Sequence, residues 1–265
     1  MDIFGFCNIA LIPVRAMANH RSEMITQLLF GEAYSIINTN HAVGWVEIKT
    51  DFDNYSGYIP THQVVLMHQS SWEKYYQKRQ YKTLSSMAYI LDKKRDIYFA
   101  IPQGSSLPMY DEKTIKLGAE IFEFEVEKQS TKLDCPIGEK IKTTALSYLN
   151  APYLWGGRTI FGIDCSGFNQ IVFKIVGIIL PRDACEQIHK GQTVNSIDEA
   201  QLGDLAFFEN KQGAIIHTGI LLDKQNIIHA SGKVRIDTID AKGIYCRETD
   251  EYSHQLKTIK RMINH

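Results

Sequence analysis

No two of the five cysteines stand at CxxC spacing, so the chain offers neither a zinc-site pattern nor a disulfide scaffold. Cys7, Cys135, Cys165, Cys185 and Cys246 are scattered singly and odd in number, the pattern of reduced thiols rather than of a disulfide framework. A basic excess is missing as well. Lys and Arg number 29 against 30 Asp and Glu, which argues against a nucleic-acid-binding surface. The longest apolar stretch, Ile175 to Leu180, falls far short of the ~20 residues that span a bilayer, so no membrane-spanning segment is expected. Met1-Asp2 opens with an acid, and Arg15 comes only after the apolar Ile9 to Val14, which Pro13 interrupts. A secretory leader has the opposite order of charge and apolar core. A cytoplasmic location is therefore expected, or a periplasmic or secreted one if a leader has been removed.

What is present suits a globular chain: 44% apolar and 22% charged residues over 265 positions, enough for one large domain or two to three small ones. Up to about residue 130 the texture is that of short strands, at Asn8 to Val14, Gln27 to Phe30, Ala33 to Ile37, Gly44 to Ile48 and Gly57 to Pro60. Turn clusters separate them, as in a small barrel or sandwich. A faint internal echo pairs Pro13 and Gly31 with Pro108 and Gly118, each a Pro-bearing strand followed by an apolar-Gly turn, which suggests two related small barrels. The aromatic, charged segment Ser71 to Arg79 would start the second barrel or bridge the two, and the polar Glu127 to Asp134 reads as a linker. Beyond it, apolar residues at 137, 141, 145, 146 and 149 have helical spacing, and Asn150-Ala151-Pro152 would stop that helix. Phe168, Ile171, Val172, Ile175 and Val176 predict a second, buried helix over 164–176. Strand-like runs follow at Gly203 to Phe208, Ala214 to Leu222 and Asn226 to Ala230, an α+β order.

Cys165 stands apart from the other thiols. It follows Asp164 and precedes Ser166-Gly167 at the start of the second helix, where free N–H groups and the helix dipole favour thiolate over thiol. A base has to come from elsewhere. Among nine histidines, His217 and His229 lie in consecutive strand-like runs, twelve residues apart. An odd-numbered connecting loop, such as Asp223 to Gln225, would put both side chains on one sheet face, whereas a two-residue turn would oppose them. On one face, His217 can take the Cys165 proton while His229 orients the ring.

Pro152-Tyr153 to Gly157, Asp164-Cys165-Ser166-Gly167, Gly203-Asp204-Leu205, His217-Thr218-Gly219-Ile220 and His229-Ala230 resemble, in order and spacing, the NlpC-type cell-wall peptidases over residues 135–265. That resemblance implies an α+β papain-like peptidase domain with Cys165 as nucleophile, His217 as base and His229 as third residue. It places the oxyanion-stabilising hydroxyl on Tyr153, whose alternative reading is a core aromatic after a helix stop. No metal or organic cofactor is implied. Pro13-Val14-Arg15-Ala16, Leu29-Phe30-Gly31-Glu32, Gly44-Trp45-Val46 and Gly57-Tyr58-Ile59 are similar to bacterial SH3-like domains. Two small all-β SH3-like barrels at 1–68 and 69–128 would then precede a peptidase domain at 129–265, as in the γ-D-glutamyl-L-diamino-acid endopeptidases.

The expected substrate is a murein tripeptide or tetrapeptide with a free N-terminal L-Ala, cut after γ-D-Glu during recycling. An α-ammonium needs a carboxylate in a closed pocket. By resemblance, substrate contacts fall on Asp164, Ser166 and Asp183, with Glu23 and Tyr58 from the first barrel. Asp183 could instead pair with Arg182 or cap a helix over Ala184 to His189. Glu23 could be a solvated loop acid, and Tyr58 a packing residue. Two other readings stay open: a papain-like amidase or acyltransferase, and a non-catalytic cell-wall-binding protein.

Overall fold

The computed structural model describes residues 3–77, 81–124, 135–246 and 249–263, with the side chains of 39–42 and 76–77 left aside. The expected linker Glu127 to Asp134, and with it the boundary between 128 and 129, lies outside the described residues. The chain divides into two compact units, Met1–Lys132 and Leu133–His265. Among the described residues no helix is long and apolar enough to cross a membrane.

The first unit is almost all β. Its strands are β1 (Ile3–Phe6), β2 (Leu11–Arg15), β3 (Met24–Leu29), β4 (Ala33–Ala42), β5 (Trp45–Thr50), β6 (Ser56–Pro60) and β7 (Leu66–Met67). Helix α1 (Gln69–Gln77) follows, then β8 (Met87–Asp92), β9 (Ile97–Pro102), β10 (Thr114–Leu117) and β11 (Glu120–Phe124). The first seven strands form one sheet in the order β3-β2-β6-β5-β4-β1-β7, and the last four another, β10-β11-β8-β9. The strand expected from Asn8 begins only at Leu11, because residues 9 and 10 bend and the Cys7 thiol bonds the Ile9 carbonyl at 3.2 Å. The segment from Ser71 is helical rather than a barrel strand, and its Trp72 stacks on Phe4. Half of the internal echo is real. Gly31 and Gly118 both adopt positive φ, +74° and +60°, in the turns entering β4 and β11, but Pro108 lies outside any strand. The two sheets are not independent: Phe6, Phe30 and Ala33 share a core with Ile90, Leu117 and Phe122.

The second unit opens with α2 (Ile137–Leu146), followed by the short pair β12 (Arg158–Thr159) and β13 (Gly162–Ile163). Then come α3 (Cys165–Ile175), α4 (Ala184–Gln187), β14 (Gln192–Val194), β15 (Leu205–Glu209), β16 (Ile215–Leu221) and β17 (Asn226–Ser231). Three further strands, which the sequence patterning left unread, complete the unit: β18 (Lys233–Ile239), β19 (Gly243–Cys246) and β20 (Glu251–Arg261). Helix α2 ends before the proline. Tyr148 and Leu149 already make tighter i→i+3 bonds, and Asn150 turns the chain at φ +67°.

The antiparallel sheet runs β14-β20-β15-β16-β17-β18-β19, and β20 also pairs with β19, so it curls closed. The enclosed face is lined by Ala206, Phe208, Leu221, Ile227, Ile239, Ile244 and Ile259. Helix α3 packs on the other face, against β16 and β17, with every residue from Cys165 to Ile175 buried. Its β-branched run is a weak helix former, so burial of residues such as Phe168 and Ile171 has to hold it, at about 1.5–3 kcal/mol per side chain. Phe168 is fully buried and meets Tyr148 edge to face at 5.8 Å. Phe168→Ala should therefore lower unfolding free energy by about 3–5 kcal/mol. Urea denaturation would check this, and a loss under ~1 kcal/mol would remove α3 packing as the anchor of the unit.

Candidate active site

Strands β16 and β17 meet through Ile220↔Ile228 and Leu221↔Ile227, and the Leu222 N–H donates to the Asn226 carbonyl. The connecting loop is therefore Asp223 to Gln225, with three residues. Asp223 closes it, accepting from the Gln225 and Asn226 N–H groups at 2.7 and 2.9 Å. With that odd number, His217 and His229 fall on the same sheet face, two residues out of register. Gly219 lies between them: a Cβ there would sit 2.7 Å from the His229 Cβ. Only glycine lets the two strands bring the imidazoles together.

The rings meet at one end of the enclosed core. His217 Nε2 and His229 Nδ1 are 2.8 Å apart, with the ring planes 79° to each other. His217 is covered by His254 of β20, stacked with centroids 4.2 Å apart, and by Phe208 directly opposite in register. On its far side His229 Nε2 lies 3.0 Å from Asp237 Oδ2 of β18. Arg235 flanks that carboxylate, Nη2 donating to Oδ1 at 2.9 Å and Nε lying 2.8 Å from Oδ2. Burial, then the neighbouring His229 and His254, drives the His217 imidazolium well below the ordinary histidine range. Burial, with His229, likewise takes His254 down to about 4. Near neutral pH both are uncharged, so His217 is a proton acceptor.

Cys165 reaches this site from the tip of α3. In β16 the Leu221 N–H points to β15, donating to the Asp204 carbonyl, and the Leu222 N–H points to β17. By alternation the Thr218 N–H also points to the β17 side, where the ladder has already ended. That N–H, next in chain to His217, is turned to the Cys165 sulfur. The Thr218 side chain faces α3, accepting from Asn169 Nδ2 at 2.9 Å and donating to the Ala206 carbonyl. Gln187 links Asn169 to the Ser166 carbonyl and fastens α4 to the same helix end. Asn169 and Gln187 read in sequence as plain polar residues of helices. Nothing in their spacing marks them as braces.

The expectation of a stabilised thiolate is corrected. Burial, and then the Asp164 charge, push the Cys165 thiol up to about 12, against smaller lowering by the Thr218 and Ser166 N–H groups. The Asp164 carboxylate caps α3, accepting from the Gly167 N–H at 2.7 Å, and so puts its own negative charge where the helix end would have favoured the sulfur's. Both its oxygens are occupied: Oδ1 also accepts from Arg182 Nη1 at 3.0 Å, and Oδ2 from the Gly156 N–H at 2.8 Å and Arg182 Nη2. Arg182 is 1% exposed and donates as well to Ser166 Oγ at 2.8 Å. Asp164 and Ser166, expected at a substrate, are thus bonded into the frame under the thiol. Asp183 stands at the N-cap of α4 without a side-chain capping bond, and the helix expected to reach His189 stops at Gln187. Tyr153 is half-buried beside β13, its backbone bridged to Ile163 and donating to the Gly232 carbonyl. Burial, then the Cys165 and Asp164 charges, raise its phenol to about 12, so it keeps its proton as a donor. In the first unit, Glu23 is exposed, its carbonyl accepting from the Ala16 N–H, and Tyr58 pairs in register with Arg15 from the other side of β2.

A thiol at a helix tip, beside paired imidazoles on a curled antiparallel sheet, defines a papain-like site of the cysteine-peptidase class. Residues 150–251 match the model of the NlpC/P60 family, and residues 14–64 match that of the bacterial dipeptidyl-peptidase SH3 domain. The chain thus carries an NlpC/P60 family peptidase domain preceded by a bacterial dipeptidyl-peptidase SH3 domain. The gamma-D-glutamyl-L-lysine dipeptidyl-peptidase of Bacillus subtilis is 43% identical over 94 residues, 35% of this chain and 31% of that protein. The protein of the same description from Bacillus cereus is 23% identical over 250 residues, 87% of this chain and 74% of that protein. A crystal structure of an NlpC/P60 family protein from Bacillus cereus shares the fold, with a TM-score of 0.79 at 18% identity over 98% of this chain and 100% of its own.

Removing Arg182 would strand the buried Asp164 charge beneath Cys165. Arg182→Met should destabilise the fold by about 3–5 kcal/mol. Equilibrium urea unfolding is the check, and an unchanged midpoint would show that this ion pair does not hold the helix tip.

Proposed function

We propose that the chain is a cysteine endopeptidase that hydrolyses the γ-D-glutamyl–L-diamino acid bond of murein peptides bearing a free N-terminal L-Ala, in recycling of cell-wall peptides. The observation that carries the reading is the 2.8 Å pairing of His217 and His229 at the mouth where the Cys165 sulfur meets the Thr218 N–H. The names of the two Bacillus relatives support the choice of bond.

Cys165 is the nucleophile. Because its thiol is held protonated, His217 removes the proton as sulfur attacks the D-Glu γ-carbonyl, by general base catalysis rather than from a standing ion pair. The Tyr153 hydroxyl and the Cys165 backbone N–H stabilise the oxyanion, and His229 orients His217. The imidazolium then protonates the departing amine, and water hydrolyses the thioester. Asp164, Ser166 and Asp183, with Glu23 and Tyr58 from the first barrel, are the substrate contacts by resemblance, a carboxylate among them meeting the substrate ammonium. The domain scheme of two SH3-like barrels, 1–68 and 69–128, before a peptidase domain at 129–265 belongs to the same proposal, as does a cytoplasmic location.

L-Ala-γ-D-Glu-L-Lys should be cleaved and its N-acetyl analogue spared by at least about 100-fold in kcat/KM, read by chromatography of the products. Equal cleavage of both removes the free-amine requirement, and cleavage of neither removes the peptidase reading. Cys165→Ala should lower kcat by at least about 10³-fold, whereas the exposed Cys185→Ala should not. The acid limb of kcat/KM reports protonation of the base. Since the His217 value is lowered, activity should persist as pH falls through 6.5 and be lost only well below it. A limb centred at or above 6.5 would contradict a buried, neutral His217.

A further inference from the structure

We propose that Asp237 fixes which nitrogen of His217 can act as the base, transmitting its demand for a hydrogen through His229. This rests on the cysteine-peptidase reading above. A carboxylate can only accept, so His229 Nε2, 3.0 Å from Asp237 Oδ2, has to carry its hydrogen there. A neutral imidazole has one N–H. In the neutral form of His229, Nδ1 is then a bare lone pair, and His217 Nε2, 2.8 Å from it, is the donor. The only hydrogen of His217 is thereby placed on Nε2, and Nδ1 is left open for the thiol proton. The opposite arrangement would set two acceptors, a carboxylate oxygen and His229 Nε2, against each other at 3.0 Å in a nearly dry site.

The surroundings fit a charge kept for this purpose. Asp237 lies on the enclosed face directly opposite Ile227, in a row that continues to the buried Ile239. An apolar residue would fill that position if packing alone mattered. Arg235, directly opposite His229 in register, keeps the carboxylate ionised by contact with both oxygens and touches the Cys246 sulfur of β19 at 3.7 Å. Burial alone would raise the Asp237 carboxyl, but its bonds to His229 and Arg235 outweigh that and hold it below the ordinary range. A further titratable neighbour among the described residues is His254 of β20, uncharged above about pH 4 and stacked on His217. Asp237 is a positioning residue: it acts on the reaction only through two imidazoles.

Long-range 1H–15N correlation spectra of histidine-labelled protein at pH 7.5 read the tautomers directly. The wild-type chain should show both His217 and His229 protonated on Nε2 and bare on Nδ1. In Asp237→Asn the amide NH2 can donate to His229 Nε2, which reverses both rings, so His217 should gain a population protonated on Nδ1. Its kcat should fall on the order of 10- to 100-fold with KM changed by less than about threefold, and Asp237→Glu should recover part of the loss. A wild-type His217 carrying its hydrogen on Nδ1 overturns the proposal, whether or not Asp237→Asn folds. So does an Asp237→Asn variant with unaltered tautomers and kcat. Failure of the wild-type protein to cleave any murein peptide would instead sink the peptidase reading, and the spectra would still decide the role of Asp237.

Discussion

The second unit depends on a sheet that parts at a chosen rung. Ile220 and Leu221 hold β16 to β17, and beyond them the ladder ends. The separation does two things at once. It releases the Thr218 N–H from strand pairing so that it can meet the sulfur of Cys165, and it leaves room on the enclosed side for two imidazoles at diagonal positions. A fully zipped pair would satisfy that N–H within the sheet and deny the helix tip an approach. Gly219 sets the other limit, since a side chain there would collide with the His229 Cβ.

Under the thiol lies a frame whose charges are almost wholly withdrawn from solvent. Asp164 and Arg182 neutralise each other while capping α3 and gripping Ser166, and Asn169, Gln187 and Thr218 tie that helix to α4 and β15. Such a frame gives rigidity rather than reactivity. Its acid sits close to the Cys165 sulfur and, after burial, disfavours the sulfur anion.

Much of this was legible in the residues. The helical spacing from Phe168 to Val176, Asp164 ahead of Cys165, and the even separation of His217 and His229 located α3 and the imidazole pair. In the sequence the length of the connecting loop stays open between an odd-numbered loop such as Asp223 to Gln225 and a two-residue turn, and the structure has the former. What escaped is equally physical. In β18 the run Lys233-Val234-Arg235-Ile236-Asp237 alternates charge with apolar residues as a solvated strand does, yet Arg235 and Asp237 stand against His229 while Lys233 stays exposed. His254 stands among Glu251, Tyr252, Ser253 and Gln255, a setting with no mark of a ring stacked on His217. The thiol's protonation followed from burial and a neighbouring carboxylate, which outweigh the end of a helix. In the first unit, the echo of Gly31 in Gly118 identified two turns but not the core shared by the two sheets.

Strand β20 has a second meaning beyond closing the sheet. It lies along β15 on one edge and along both β14 and β19 on the other. Hairpins among β15, β16, β17 and β18 can form from neighbours in the chain, but the ring of His254 arrives only with this distant strand. A partly folded chain would hold its cysteine and two of its histidines near one another with the third imidazole missing, leaving His217 more open to water. Closure of the sheet by β20 thus completes the cover over His217 through a contact between residues distant in the chain.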